Sequence, residues 1–173
     1  MVIRLADELD FESIMNNYKI MSEAPGQLEA GAGWVVGIYP DDEMIKSAIA
    51  NNEYFVVEEE GTIYGGMSLN TEFTEGYEKV KWKSDAQEGE FLSIHALGVM
   101  PEARGRGFAK QLVHFAIDYA KKHYYKAIRI DVYAVNVAAK KLYPSLGFDF
   151  VDQLELYYED TGLADYLMYE YIV

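Results

Sequence analysis

Apolar residues recur at helical spacing early in the chain. Over residues 10–24, Phe11, Ile14, Met15, Tyr18 and Met21 mark one helix face, and Pro25-Gly26 closes the segment. Val2 to Leu5 before it reads as a short strand. Residues 27–37, rich in Gly and Ala around Trp34, read as a loop. A second helix is expected to start in Tyr39-Pro40-Asp41-Asp42-Glu43, with acids where the macrodipole favours them, burying Met44, Ile45, Ala48 and Ile49 and ending at Asn51-Asn52. Residues 54–60 and 62–70, parted by Gly61, predict an antiparallel hairpin with Glu58-Glu59-Glu60 as a solvated tip. A polar stretch carrying Tyr77 and Trp82 follows over residues 71–90.

The second half is patterned more sharply. Residues 91–99 are almost continuously apolar, as a strand buried on both faces requires. Residues 107–123 predict a helix with Leu112, Phe115, Ala116 and Tyr119 on one face. In residues 127–134, Ile128, Ile130 and Val132 alternate with Arg129, Asp131 and Tyr133, the period of a strand. A short helix over 136–146 ends at Gly147, although Pro144 removes a backbone donor and is expected to kink or end it early. Strands over 148–158 and 166–173 complete an α/β (α+β) reading, a mixed and mostly antiparallel sheet flanked by about four helices. With 173 residues the chain is expected to be a single domain, 1–173.

Composition narrows the chemistry. A formal charge of −14 repels a nucleic-acid backbone and attracts small cations, amines included. The absence of cysteine removes thiolate nucleophiles, disulfides and cysteine-based metal sites. Neither a secretory leader nor an eighteen-residue apolar run is visible, so a cytoplasmic protein is expected, with no membrane partner and no metal.

The strongest chemical signal is Leu97-Gly98-Val99-Met100-Pro101-Glu102-Ala103-Arg104-Gly105-Arg106-Gly107-Phe108-Ala109, a buried strand entering a Gly/Arg-rich turn that opens directly into a helix. Free backbone N–H groups and the dipole at such a helix start make an anion site. Gly105 and Gly107 let main chain approach a ligand, and Arg104 and Arg106 can add charge-assisted hydrogen bonds to phosphate. Other phosphate and nucleophile motifs are excluded by spelling. There is no Gly-Lys pair and no His-Glu-x-x-His, Gly105-x-Gly107-x-x-Lys110 ends in Lys, and Gly66-Met67-Ser68-Leu69-Asn70 lacks the last glycine of a serine elbow.

Arg104-x-x-Gly107-x-Ala109, the preceding strand Ile94-His95-Ala96-Leu97-Gly98-Val99 and the later run Asn136-x-x-Ala139-x-x-Leu142-Tyr143-x-x-x-Gly147-Phe148 together resemble the GNAT superfamily of acetyl-CoA-dependent N-acetyltransferases. The resemblance is sharpest over residues 91–148. It implies that the backbone of Leu97, Gly98 and Val99 hydrogen-bonds the pantetheine arm, and that the stretch Arg104, Gly105, Arg106, Gly107, Phe108 and Ala109 holds the pyrophosphate. It also implies that Asn136 contacts the cofactor and that Tyr143 protonates the departing thiolate. A phenol, with a reference pKa of about 10, suits that last task.

An alkylammonium must lose a proton before attacking a thioester. His95 is the first candidate base, directly or through water, and Glu90 at the mouth of its strand the second. Trp34, Tyr39, Tyr77 and Trp82 are candidates to stack on a cationic amine. His114 and His123 read as surface or packing residues. The resemblance thus implies an acyltransferase moving acetyl to a small-molecule or peptide amine by direct attack, a route that the lack of cysteine favours. The alternatives are another acyl-CoA donor, such as succinyl- or propionyl-CoA, or a non-catalytic acetyl-CoA sensor. A homodimer fits the family, with no sequence feature specifying its interface.

Overall fold

In the computed structural model, which describes residues 1–26 and 33–173, the chain runs β1 (Val2–Leu5), α1 (Phe11–Glu23), α2 (Asp42–Ala50), β2 (Tyr54–Glu59), β3 (Thr62–Asn70), β4 (Phe91–Val99), α3 (Phe108–Lys122), β5 (Ala127–Tyr133), α4 (Val137–Ser145), β6 (Asp149–Tyr158) and β7 (Gly162–Ile172). All seven strands join one sheet in the order β1-β2-β3-β4-β5-β7-β6, antiparallel except for the β4–β5 pair. The expected fold class and four flanking helices are therefore present among the described residues. None of these helices is long and apolar enough to cross a membrane.

Local chemistry accounts for the element ends. Asp41 caps α2 by accepting from the Met44 amide at 2.7 Å, so the helix opens within the acidic run, with Asp42 and Glu43 in its first turn, where the sequence placed it. Arg4 binds Asp10 and Glu58, fastening the start of α1 to β2. The acidic hairpin tip is thus less solvated than expected: Glu58 pairs with Arg4 and Glu59 with Arg106. Pro144 does not stop α4, which runs on to Ser145, because a proline in the last turn forfeits only one bond. β7 begins at Gly162, four residues before the apolar pattern suggested, since the hairpin with β6 continues the ladder through Tyr158↔Gly162.

α1 packs on one face of the sheet, where Tyr18 meets Tyr54, and α3 on the other, where Phe115 and Tyr119 pack on Phe55; Ile14, Ile45, Leu112, Ala116, Ile128 and Ile130 join the same buried core. At the β5–β7–β6 end, the face that carries Arg129 is covered by residues 71–90. Tyr77, Val80 and Ala86 are buried there against Phe91, Leu156, Tyr166 and Met168, so the polar stretch is a second core rather than a loose connection. Its anchor is a buried ion pair. Glu170 accepts from Arg129 Nε at 3.0 Å, from the amides of Lys83 and Ser84 at 2.7 and 3.0 Å, and from Ser84 Oγ at 2.7 Å. The Arg129 guanidinium lies 4.5 Å from the Trp82 ring centre and 4.1 Å from that of Phe91.

Removing one member of such a pair strands the other charge. Glu170→Gln is expected to destabilise the protein by about 3 kcal/mol in urea unfolding; a loss under about 1 kcal/mol would show that the pair does not anchor residues 71–90.

Candidate active site

The β4–β5 ladder holds for three pairs, Phe91↔Ala127, Leu92↔Ile128 and Ser93↔Arg129, and then stops. Beyond it the register of β4 with β3 slips by one residue between Ser68↔His95 and Gly66↔Gly98, a bulge at which Ala96 takes φ 51°. A bulge bends its strand, and β4 turns away from β5. Tyr18 pins the bulge from beneath, donating to the Ala96 carbonyl and accepting from the Tyr54 hydroxyl at 2.7 Å. The strand edge over residues 94–99 that faces β5 is left without a ladder partner. Into this split opens a cavity of about 500 Å³, lined on one wall by Leu97, Gly98 and Val99, on the other by Ile130, Asp131, Val132 and Tyr133. Gly98 is required there by packing, because a Cβ would sit 2.9 Å from Met21 Sδ and 3.0 Å from the Trp34 ring.

At one end the cavity meets the loop before α3. Gly107 is the N-cap of that helix at φ 88° and provides no side-chain cap. The first intrahelical bond runs from the Gln111 amide to the Gly107 carbonyl at 3.1 Å, so the amides of Phe108, Ala109 and Lys110 precede any helical acceptor. Gly105 (φ 78°) and Gly107 are glycines because the turn is left-handed; no protein atom would touch a Cβ at either. Arg104 lines the cavity with Lys110, whereas Arg106 does not. Its guanidinium binds Glu59 and lies over Tyr64 and Phe108. The expectation that Arg106 offers its side chain to phosphate is therefore corrected: β2 holds it on the outside of the loop.

Asn136 and Tyr143, one face of α4, both line the cavity. The Asn136 Oδ1 is used as a cap, accepting from the Ala139 amide at 2.9 Å, which leaves its amide nitrogen for other partners. Tyr143 is 3% exposed, packed against Phe148 and Tyr169, and its hydroxyl has no hydrogen-bond partner among the described residues. Burial, reinforced by the charge of Asp131, pushes this phenol well above its ordinary pKa. It stays protonated, but it is a weaker acid than a matched thiolate partner would call for.

His95 lines the cavity as well. Its Nε2 lies 3.1 Å from Asn70 Oδ1 and 3.2 Å from the Glu72 carbonyl. A carbonyl can only accept, so Nε2 carries the proton and the neutral ring keeps its lone pair on Nδ1. Asn70 is itself oriented, donating to Glu53 at 3.2 Å and accepting from the Glu72 amide at 3.1 Å. Glu90 is not brought to the cavity. It lies at the opposite end of β4 from the loop, its carboxylate bound to Lys126 at 2.8 Å and to the Gln87 amide at 2.9 Å, contacts that lower its pKa. Of the four aromatic candidates, Trp34 and Tyr39 line the cavity; Trp82 packs on Arg129, and Tyr77 sits beneath the site. His114 is exposed and His123 stacks on Tyr119.

The sequence reading missed Asp131, Tyr158, Asp160 and Thr74, all of which line the cavity. Two residues past the last β4–β5 pair, His95 and Asp131 stand level on the two strands, and the period of two puts them on one face. Asp131 accepts from the hydroxyls of Tyr77 and Tyr158, each at 2.8 Å. Thr74 in turn donates to Tyr158 at 2.9 Å. The available signal was an acid in an alternating strand whose polar face also carries Arg129, a pattern that reads as solvent exposure until a second core covers it.

Comparison with known proteins decides the family. The model for the Acetyltransferase (GNAT) family matches residues 18–148, which contain the split, the loop and α4. The chain belongs to the GNAT acetyltransferase family. An acetyltransferase of the GNAT family from Streptococcus agalactiae superposes with a TM-score of 0.76 at 23% identity, covering 99% of this chain and 95% of that one. A structure from Salmonella typhimurium that contains acetyl-CoA as its cofactor superposes at 0.72 with 20% identity, over 99% and 93% of the two chains. Among curated relatives, an uncharacterised N-acetyltransferase of Methanocaldococcus jannaschii is 37% identical over 68 residues, 39% of this chain and 30% of that protein. The N-alpha-acetyltransferase RimI of Mycobacterium tuberculosis is 33% identical over 75 residues, 43% and 46% of the two. The match thus spans less than half the length of either relative.

In this GNAT chain the left-handed turn carries a testable cost. Gly107→Ala is expected to lose about 1–2 kcal/mol in urea unfolding, from backbone conformation alone; an unchanged midpoint would show that the loop relaxes without it.

Proposed function

We propose that the protein is an N-acetyltransferase that moves acetyl from acetyl-CoA to a primary amine by direct attack in a ternary complex, as a single domain working in the cytoplasm. The observation that carries this reading is that three features share one cavity: the open edge of β4, the uncapped start of α3 and Tyr143, a buried residue whose hydroxyl has no partner among the described residues. Acetyl-CoA fits this arrangement. The amides at Phe108, Ala109 and Lys110, with Arg104, suit a pyrophosphate; the backbone of Leu97, Gly98 and Val99 suits the amide-bearing pantetheine arm, with Asn136 beside it. When bound, acetyl-CoA supplies an activated acetyl thioester.

The chain's own residues then manage protons. His95 offers Nδ1 to the proton of the incoming ammonium, directly or through water, while Asn70 and the Glu72 carbonyl hold the ring by Nε2. Tyr143 donates a hydrogen bond to the departing sulfur as negative charge builds there. A phenol held above its ordinary pKa keeps that proton at every pH at which the amine reacts. With no cysteine in the chain, acetyl passes straight to the amine.

Calorimetric titration with acetyl-CoA tests the foundation: saturable binding supports the reading, and no binding of it or of any other acyl-CoA removes it. Tyr143→Phe is expected to lower kcat about 100-fold while leaving acetyl-CoA affinity nearly unchanged; an equal loss in both would make Tyr143 a packing residue. Because burial raises its pKa, Tyr143 contributes no falling alkaline limb to kcat up to pH 10, its ordinary pKa. His95→Ala should depress the rate most below the pKa of the acceptor, and a uniform effect across pH would exclude His95 as the base.

A further inference from the structure

The acceptor end of the cavity is anionic and has no Lys or Arg among the described residues. Arg104 and Lys110, the basic residues of the lining, belong to the loop and the start of α3. Around the split stand Asp131 on β5 and Asp160 in the β6–β7 turn, and neither forms an ion pair among the described residues. Asp131 is positioned by two phenols, whose hydroxyls donate to one carboxylate oxygen each, and it lines the cavity. Asp160 is partly buried, and desolvation pushes its carboxyl above its ordinary range. Both acids line this one cavity, together with the rings of Tyr39 and Tyr166. Tyr143, buried and unpartnered, reaches the same cavity.

We infer that the acceptor is an amine carrying a second positive charge, a diamine or short polyamine, with Asp131 receiving the ammonium that will react and Asp160 holding the other. This rests on the acetyltransfer reading above and narrows its acceptor. A carboxylate paired with an ammonium has a favourable charge-assisted bond, and a chamber that presents two carboxylates with no ion-pair partner among the described residues favours a dication over a monocation. The tyrosine walls add ring faces to which a cation is drawn. An acceptor bearing its own carboxylate meets two like charges and no guanidinium or ammonium to receive it, so this end of the cavity does not suit aspartate, the acceptor named for the N-acetylaspartate synthetases that the chain partly matches. One nitrogen of the acceptor is acetylated with loss of a proton and release of coenzyme A; the other is unchanged.

The test is thiol release from acetyl-CoA at saturation, with 1,4-diaminobutane, spermidine, butylamine, aspartate and an alanine-initiated peptide at equal concentration. The expected result is kcat/KM at least tenfold higher for the diamine or spermidine than for butylamine, and no detectable turnover of aspartate. Asp160→Asn, in a surface turn and tolerant of change, should remove about tenfold of the diamine preference, the worth of one charge-assisted contact. It should leave calorimetric acetyl-CoA affinity as it was. Asp131→Asn should lower turnover of both amines, again with donor affinity unchanged. Equal use of butylamine and diamine, or preference for aspartate or the peptide, overturns the dication inference and leaves the acetyltransfer reading standing. Failure to bind acetyl-CoA, or no thiol release with any amine, overturns that reading instead.

Discussion

Parallel strands β4 and β5 hold each other for three residues and then part, and the site consists of what that parting leaves unsatisfied. A ladder that ended in solvent would have its groups wetted; this one ends between two packed walls, beneath α3 and beside α4. Backbone polar groups of β4 therefore need a partner that β5 does not provide. The bulge at Ala96 is the cause of the parting. Its strained φ is tolerated because Tyr18, itself held by the Tyr54 hydroxyl, binds the Ala96 carbonyl from the core side.

Much of this was legible in the chain. The apolar run of β4, the glycine-rich turn and the amphipathic α3 follow one another with periods that admit one arrangement, and the loop lies where those periods place it. The spacing of Asn136 and Tyr143 put both on one helix face, and both reach the cavity. What remained hidden depended on contacts distant in sequence. Glu90 looked well placed at the mouth of β4, yet Lys126, 36 positions away, claims it. Arg106 looked like a phosphate ligand, and Glu59 claims it from 47 positions away. Asp131 looked solvent-facing because alternation in β5 shows which face a residue takes and not what covers that face.

The cover is residues 71–90, and it links stability to the site. Arg129 and Asp131 share one face of β5; the first anchors the covering segment through Glu170, and the second receives Tyr77 from the same segment. A buried ion pair and a cavity carboxylate thus depend on one stretch of chain, so packing around Trp82 and Tyr77 sets how firmly Asp131 is aimed. Stability of this second core and geometry at the split are coupled through shared residues rather than through distance.

The capture of Arg106 by Glu59 has an electrostatic consequence. With that guanidinium neutralised, Arg104 and Lys110 form a small positive spot on a molecule of charge −14. A phosphate-bearing ligand is repelled at long range and attracted only at contact, whereas a cationic one is drawn in from afar. Salt screens the long-range part first, with a Debye length of about 10 Å at 0.1 M. Added salt therefore speeds the encounter with an anion and slows that with a cation. On this surface, ionic strength alone shifts which of two oppositely charged ligands arrives first.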